Sequence, residues 1–231
     1  MEKHELVTAL RASLQALAQQ RTAARSDPAT QAARLALQQF QSARMARTHA
    51  DLLATPESAA AARFFLDDLY GEKNVIQRDA DLERVLPTME RLLPLPALTA
   101  VAEAIELDAL SEALDTALAK RLGPDFDGHD YAAAYRAVAT RAAREQQLRQ
   151  VESVGNGLCR LVRIPLLGTT LAMMRAPARL AKLGDLQNFL ERGFNAFKAM
   201  RQPQQFVATI VAREGQILQQ IYAGKPRPFE I

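Results

Sequence analysis

Residues 1–28, MEKHELVTALRASLQALAQQRTAARSDP, decide the fold class of this chain. Leucine recurs in them at spacings of four, four and three residues, which places one apolar stripe along a helix. The stripe consists of Leu6, Leu10, Leu14 and Leu17. The SDP at 26–28 ends this helix and starts the next, because Asp27 can cap a helix N-terminus and Pro28 fits a first turn. The stretch therefore predicts an amphipathic helix over about 2–24 and a second helix directly after it.

The same helical character extends through all 231 residues. Alanine, leucine, arginine and glutamine are good helix formers and are abundant, whereas β-branched residues are few. Short predicted loops, no internal repeat and no convincing strand pattern favour antiparallel helix packing. We predict an all-α fold of about eight helices in one compact, bundle-like domain over 1–231. A candidate subdomain break lies at the loop GPDFDG, 123–128.

Glycine, proline and capping residues predict the boundaries of the other helices. The second helix should reach about Leu53, and Thr55 should cap the third. Pro87 should kink or split the helix that contains it, and Asp108 should cap a new helix. The further helices are expected over about 97–105, 109–122, 129–149, 178–200 and 204–222, with GNG at 155–157 as a candidate interruption.

The sequence also indicates where the protein resides. Its one cysteine, Cys159, excludes an intramolecular disulfide. The N-terminus lacks the basic start and apolar run of a signal peptide. The longest apolar stretch, 164–174, is far shorter than the roughly 20 residues of a membrane-spanning helix. We therefore expect a soluble, cytoplasmic protein in which Cys159 is a buried thiol between apolar neighbours.

The net charge of +3 hides an uneven distribution along the chain. Residues 1–56 carry seven Lys/Arg against four Asp/Glu, residues 57–130 seven against 16, and residues 131–231 fifteen against six, giving +3, −9 and +9. Two interpretations stay open. Either the acidic middle and the basic end attract each other within the fold, or the basic end binds an external polyanion, nucleic acid or an anionic membrane.

The most unusual stretch is FFLDDLY at 64–70, which precedes Gly71. On a helical projection its apolar residues cover more than half of the circumference, and Asp68 falls inside this apolar arc. A carboxylate placed there, in the last turn of a helix, needs a cation to compensate its burial. We predict an ion pair between Asp68 and an arginine, and we expect Asp68→Ala to lower Tm more than Asp67→Ala. The candidate partners are Arg44, Arg47 and Arg78.

FFLDDLY resembles the signature of a group of uncharacterised bacterial proteins that are named for an FFLEELY motif. Asp67 and Asp68 here replace the two glutamates, which keeps the charge on a shorter side chain. The resemblance implies a bacterial origin and a compact family domain, and it implies no substrate or cofactor. From the projection alone, Phe65, Leu66 and Leu69 should belong to the core.

Basic residues are concentrated in 158–201, which holds eight Lys/Arg against two Asp/Glu. Arg175, Arg179 and Lys182 are four and three residues apart, so they should share one helix face. An opposite apolar stripe is expected from Leu180, Leu183, Leu190, Phe194 and Phe197. Such a helix either packs on the core with a solvated basic face, or lies on an anionic membrane or a phosphate backbone. The candidate polyanion-binding residues are Arg160, Arg163, Arg175, Arg179 and Lys182.

No catalytic motif, phosphate-binding glycine loop or metal-ligand spacing is evident, so we predict no cofactor and no metal site. The sequence favours a non-enzymatic binding or scaffold protein that acts on an unknown protein partner through helix surfaces. One alternative is a peripheral binder of anionic membrane or nucleic acid that uses the basic C-terminal third. A second alternative is an enzyme with an acidic pocket near Asp68, Tyr70 and Asp79.

Overall fold

The computed structural model describes residues 2–66 and 75–231, and this part of the chain is all-α, without a strand. The predicted fold class is confirmed. The described residues form twelve helical segments, more than the eight predicted. Three of them are short helices of five to seven residues, and the helix predicted from His129 is divided in two. In chain order the helices are α1 (Lys3–Arg25), α2 (Pro28–Thr48), α3 (Ala50–Ala54), α4 (Pro56–Phe64), α5 (Val75–Leu92), α6 (Leu95–Leu122), α7 (Gly128–Val138), α8 (Arg141–Leu161), α9 (Leu167–Met173), α10 (Arg175–Leu180), α11 (Gly184–Ala199) and α12 (Pro203–Tyr222).

The first two helices agree with the sequence pattern. The leucine stripe of α1 is at most 4% exposed and packs against α5 and α6, for example on Leu86 and Leu98. Asp27 caps α2, because its carboxylate accepts the backbone N–H groups of Ala29 at 3.3 Å and Thr30 at 3.2 Å. Both features depend on neighbouring residues alone, which is why the sequence predicts them.

Residues 95–122 form one helix, α6, where two were predicted. The expected cap at Asp108 is wrong. Asp108 lies inside α6, and its carboxylate accepts a hydrogen bond from Nη2 of Arg21 at 2.7 Å. The backbone stays helical because residues 97–122 contain neither glycine nor proline.

The GNG at 155–157 does not interrupt α8. Gly155 faces α12, where a Cβ at this position would lie only 2.8 Å from Cγ1 of Val207. The glycine thus permits the close approach of α8 and α12 rather than ending a helix.

Three other predicted boundaries also differ. The short α3 follows α2, and the hydroxyl of Thr55 donates to a carbonyl of α3 at 2.8 Å instead of capping α4. The helix α5 continues through Pro87 without a split. The long helix expected from His129 is divided at Thr140, whose hydroxyl oxygen accepts a backbone hydrogen bond and caps α8.

Three clusters of buried apolar side chains hold the helices together. The first lies between α1, α5, α6 and α11, and the second between α2, α6, α7 and α12. The third lies between α4, α8, α11 and α12. The second cluster contains residues from both sides of the loop at 123–127. The organisation as one domain over 1–231, with a candidate break near 123–128, remains a prediction.

The third cluster contains the two phenylalanines that open FFLDDLY. Phe64 is 8% exposed, and its ring centroid lies 5.3 Å from that of Phe189 in α11. Phe65 is half-buried and packs on Phe197 and Phe206. The predicted core position of Phe65 is therefore confirmed. The predictions for Asp67, Asp68, Leu69, Tyr70 and Gly71 fall outside the described residues.

Candidate functional site

The basic segment exposes its apolar side chains to an unusual degree. Leu166 is 77% exposed, Met173 74% and Leu180 88%. Elsewhere in 2–66 and 75–231, the exposed large apolar side chains reach only 42–47%. Isolated exposed leucines are ordinary, but three side chains this exposed within fifteen residues, 166–180, indicate a contact surface.

The backbone explains why Leu180 is exposed and not part of the predicted stripe. The helix expected over 178–200 is divided, because α10 ends at Leu180 and α11 begins at Gly184. Between them Lys182 has a φ of 58°, in the left-handed region. The backbone N–H of Leu183 donates to the carbonyl of Ala178 at 2.8 Å, which closes the turn as helix C-termini commonly do.

The residues of α9 and α10 sort by helical spacing into two faces. Leu167 and Ala178 are buried against the rest of the protein. On the exposed face, apolar or small side chains recur at spacings of three and four residues. They are Thr169, Ala172, Met173, Ala176 and Leu180. The apolar and small side chains of this exposed face therefore contact solvent, beside the exposed Arg175 and Arg179.

The exposed apolar residues are accompanied by cations and by no acid. Residues 153–184 contain five Lys/Arg and no Asp or Glu. Each of the three exposed apolar side chains has a cationic residue within three positions: Leu166 follows Arg163, Met173 precedes Arg175, and Leu180 follows Arg179. We call residues 160–182 the basic-apolar segment.

One of the five predicted polyanion-binding residues is neutralised within the protein. Nη2 of Arg175 lies 2.7 Å from Oε2 of Glu191 in α11, and the hydrogen bond from Arg175 lowers the pKa of Glu191. Arg163 donates to the neutral Gln204 at 3.2 Å. Among the described carboxylates, none lies within 4.0 Å of the charged nitrogens of the other four cations. These four are Arg160, Arg163, Arg179 and Lys182.

Apart from Arg84–Asp81, which lies within the acidic middle, the described ion pairs of residues 57–130 join them to the first third of the chain. Arg21 is 4% exposed and binds Asp79, Asp108 at 2.7 Å and Glu112 at 3.1 Å. Burial alone would lower the pKa of the Arg21 guanidinium, but these carboxylates raise it. Between described side chains, no ion pair joins residues 57–130 to residues 131–231. Asp79, which we considered for an acidic pocket, is a buried partner of Arg21.

Arg44, a candidate partner of Asp68, is buried in α2 and bound to α12. Its Nη1 donates to both carboxylate oxygens of Glu214, each at 2.6 Å, and Nε2 of His49 lies 3.0 Å from the same carboxylate. Burial alone would raise the pKa of Glu214, but the hydrogen bond from His49 and the charge of Arg44 lower it. Arg47 is exposed. Asp68 and the side chain of Arg78 lie outside the described residues, so the predicted ion pair remains a prediction.

One group of potential metal ligands is found in the described part of the chain. Carboxylate and imidazole atoms of Asp127, His129 and Asp130 lie within 4.8 Å of one another at the surface. The Asp127 carboxylate already accepts the backbone N–H groups of His129 at 2.8 Å and Asp130 at 2.9 Å. This capping of α7 accounts for the cluster without a metal.

Within 2–66 and 75–231, no helix has both the length and the apolarity needed to cross a bilayer. Comparison with curated proteins and with solved structures finds no match to this chain. A family model described as a domain of unknown function, DUF8198, matches residues 20–228. This match covers most of the chain, so the protein belongs to the DUF8198 family.

Proposed function

We propose that this protein is a non-enzymatic binding protein that docks on anionic membrane surfaces through the basic-apolar segment. The observation that carries the proposal is the exposure of Leu166, Met173 and Leu180 in a segment where four of the five cations have no described carboxylate within 4.0 Å. Apolar side chains that insert below the headgroups, with cations at headgroup level, are the two elements of peripheral membrane binding.

The energies of the two elements are comparable. A cation near an anionic leaflet contributes about 1 kcal/mol, and the segment offers four such cations. Full burial of a leucine or methionine contributes about 1.5–3 kcal/mol, of which shallow insertion recovers a part. The sum favours reversible docking rather than permanent anchoring. Leu166 and Lys182 have left-handed φ values of 66° and 58°, which ordinary side chains rarely adopt. Strained backbone of this kind clusters at functional sites, which supports a functional role for the segment.

A membrane accounts for the surface better than a nucleic acid does. Phosphate backbones bind cations, but they offer little to three protruding apolar side chains. Residues 160–182 contain no aromatic side chain, so bases have no stacking surface there. A protein partner with an acidic and apolar surface is the other candidate occupant, and in that case the protein would not float with lipid vesicles.

Vesicle flotation at two salt concentrations tests the proposal. We expect the protein to float with phosphatidylcholine vesicles containing about 30% phosphatidylglycerol, and not with pure phosphatidylcholine vesicles. Binding should weaken when salt is raised from about 0.05 to about 0.5 M. The absence of flotation at low salt, or stronger binding to duplex DNA than to vesicles, would overturn the proposal.

A matched pair of variants assigns the binding to the segment. Leu166→Ser, Met173→Ser and Leu180→Ser combined should abolish flotation, because they remove the inserting side chains. Leu35→Ser and Leu92→Ser combined should leave flotation unchanged, although both side chains are 42–47% exposed apolar residues. Equal loss in the two variants would contradict the proposed surface.

The proposal includes a cytoplasmic location and a bacterial origin. The location is supported by the single cysteine, which excludes an intramolecular disulfide. The origin is supported by the resemblance of FFLDDLY to the FFLEELY motif. In such a cell the anionic inner leaflet would be the surface available for docking.

A further inference from the structure

A large cavity lies between the helices. Leu161, Val162, Leu167 and Leu171 of the basic-apolar segment form part of its wall, whereas the exposed Leu166, Met173 and Leu180 do not line it. Its volume is about 930 Å³, within the range of about 300–1,000 Å³ that is typical of small-molecule sites. Residues of every described helix except α10 line it, and most of its wall is apolar. Leu148, Val151, Leu158 and Ile210 are among the apolar lining residues.

One charged side chain on this wall has free hydrogen-bond donors. Arg144 of α8 is only 3% exposed. Its Nη1 donates to Oε1 of Gln147 at 3.1 Å, and its Cζ lies 4.0 Å from the ring centroid of Tyr135. Its Nε and Nη2 are buried and have no hydrogen-bond partner in the described part of the protein.

The two free nitrogens of Arg144 belong to the same edge of the guanidinium. Nε–H and Nη2–H point in parallel directions, which is the geometry that binds both oxygens of a carboxylate at once. The stacking on Tyr135 and the hydrogen bond to Gln147 fix the guanidinium plane, so this edge is held in place without an anion.

No described carboxylate accepts a hydrogen bond from Nε or Nη2 of Arg144. Arg144 takes part in no described ion pair, and the nearby Asp115 instead accepts a hydrogen bond from Nε2 of Gln41 at 3.1 Å. Burial raises the pKa of Asp115, although Gln41 and the charge of Arg144 oppose this. A buried donor without an acceptor is unfavourable because its hydration is lost, and more so when the group is charged. The protein therefore holds an unfavourable arrangement that a bound anion would relieve.

We propose that the cavity binds a small molecule with an apolar body and a carboxylate, and that the carboxylate accepts hydrogen bonds from Nε and Nη2 of Arg144. The apolar wall would receive the body of the molecule. This site differs from the proposed membrane-docking surface, because its carboxylate-binding group is Arg144 and its wall includes none of the exposed Leu166, Met173 and Leu180.

Binding of laurate, compared with dodecanol, tests the proposal on the full chain. The two probes share the alkyl chain and differ in the carboxylate, so calorimetry should show that laurate binds about 10- to 100-fold more tightly. Arg144→Met should weaken laurate binding by a similar factor and leave dodecanol binding unchanged. Arg149→Met is the matched control, because Arg149 is exposed on the same helix, and it should bind laurate as the unmodified protein does.

Two further measurements keep the result unambiguous. Leu180→Asp should still bind laurate, because Leu180 does not line the cavity. Laurate binding therefore tests the cavity even if the docking proposal fails. If Arg144→Met does not fold, the laurate-to-dodecanol ratio of the unmodified protein and the ¹³C shift of bound laurate carboxylate decide the matter. Equal affinity for the two probes, a carboxylate shift unchanged from free laurate, or preferential binding of dodecyl phosphate would each overturn the proposal.

Discussion

Arg44 and Glu214 join the second helix to the last one through a buried ion pair. Nη1 of Arg44 lies 2.6 Å from each carboxylate oxygen, across 170 residues of sequence, and the side chains are only 10% and 20% exposed. His49 adds a third group at 3.0 Å from the same carboxylate. The polar part of the α2–α12 contact therefore consists of one acid with two basic neighbours, beside the buried apolar cluster that both helices share.

Removal of the acid should destabilise the protein strongly. Glu214→Leu leaves Arg44 without the carboxylate it binds here, and the loss of one partner of a buried pair costs about 3–5 kcal/mol. We expect the free energy of unfolding, measured by urea denaturation, to fall by about 3 kcal/mol. Glu145→Leu removes the acid of the exposed Arg141–Glu145 pair and should change it by less than about 0.5 kcal/mol. Similar losses in the two variants would contradict the structural role of Glu214.

Asp51 and Arg213 should make stability depend on pH in the acid range. Arg213 donates to both Asp51 oxygens, at 2.6 and 2.8 Å, and this hydrogen bonding lowers the pKa of Asp51 from 3.8 to about 2. A carboxyl with a lowered folded-state pKa stabilises the protein above pH 3.8, and the contribution is lost as the pH falls towards 2.

The size of this effect is limited by solvent, because the Asp51 side chain is 58% exposed. After screening we expect about 0.5–1 kcal/mol. Asp51→Asn should lose this amount in urea denaturation at pH 7, and the difference from the unmodified protein should vanish near pH 2. Asp125→Asn, at an exposed carboxylate, is the control and should show no such difference. If Asp51→Asn still had a lower free energy of unfolding than the unmodified protein at pH 2, the Asp51 contribution would not be ionic.

Gly193 should be needed for the packing of FFLDDLY. A Cβ at this position of α11 would lie 2.8 Å from Cζ of Phe64, closer than such atoms approach. We expect Gly193→Ala to lower the free energy of unfolding by about 1–3 kcal/mol, in spite of the higher helix propensity of alanine. Gly184→Ala, on the same helix, meets nothing within 4 Å and should be neutral or slightly stabilising. Thermal denaturation of both variants checks the difference, and an unchanged Tm for Gly193→Ala would exclude the close contact.

Features fixed by neighbouring residues could be predicted from the sequence. The stripe of α1, the cap at Asp27 and the C-terminal helix α12 all agree with the structure. Each depends on residue spacing or on side-chain-to-backbone hydrogen bonds within a few residues. Cys159 is buried, as predicted, and burial raises its pKa.

Features fixed by distant contacts could not be predicted in this way. Asp108 has the residue type of a cap, but its partner is Arg21 in another helix, 87 residues away. Leu180 has the spacing of a core residue, but a turn that requires an unusual backbone angle at Lys182 exposes it. The one available signal was the acid-free run 153–184, interrupted by Pro165, Gly168 and Pro177. The cavity that Arg144 lines combines residues of eleven described helices, and no local pattern reveals it.

Insertion of Leu180 into an anionic bilayer is the most direct test of the central claim. A Leu180→Cys variant can be labelled with an environment-sensitive NBD fluorophore, since Cys159 is buried and its raised pKa keeps it unreactive. We predict that vesicles containing phosphatidylglycerol shift the emission to the blue and that the same label on Gln146→Cys, exposed on α8, shows no shift. An unshifted emission at position 180 while the protein floats with the vesicles would contradict the account.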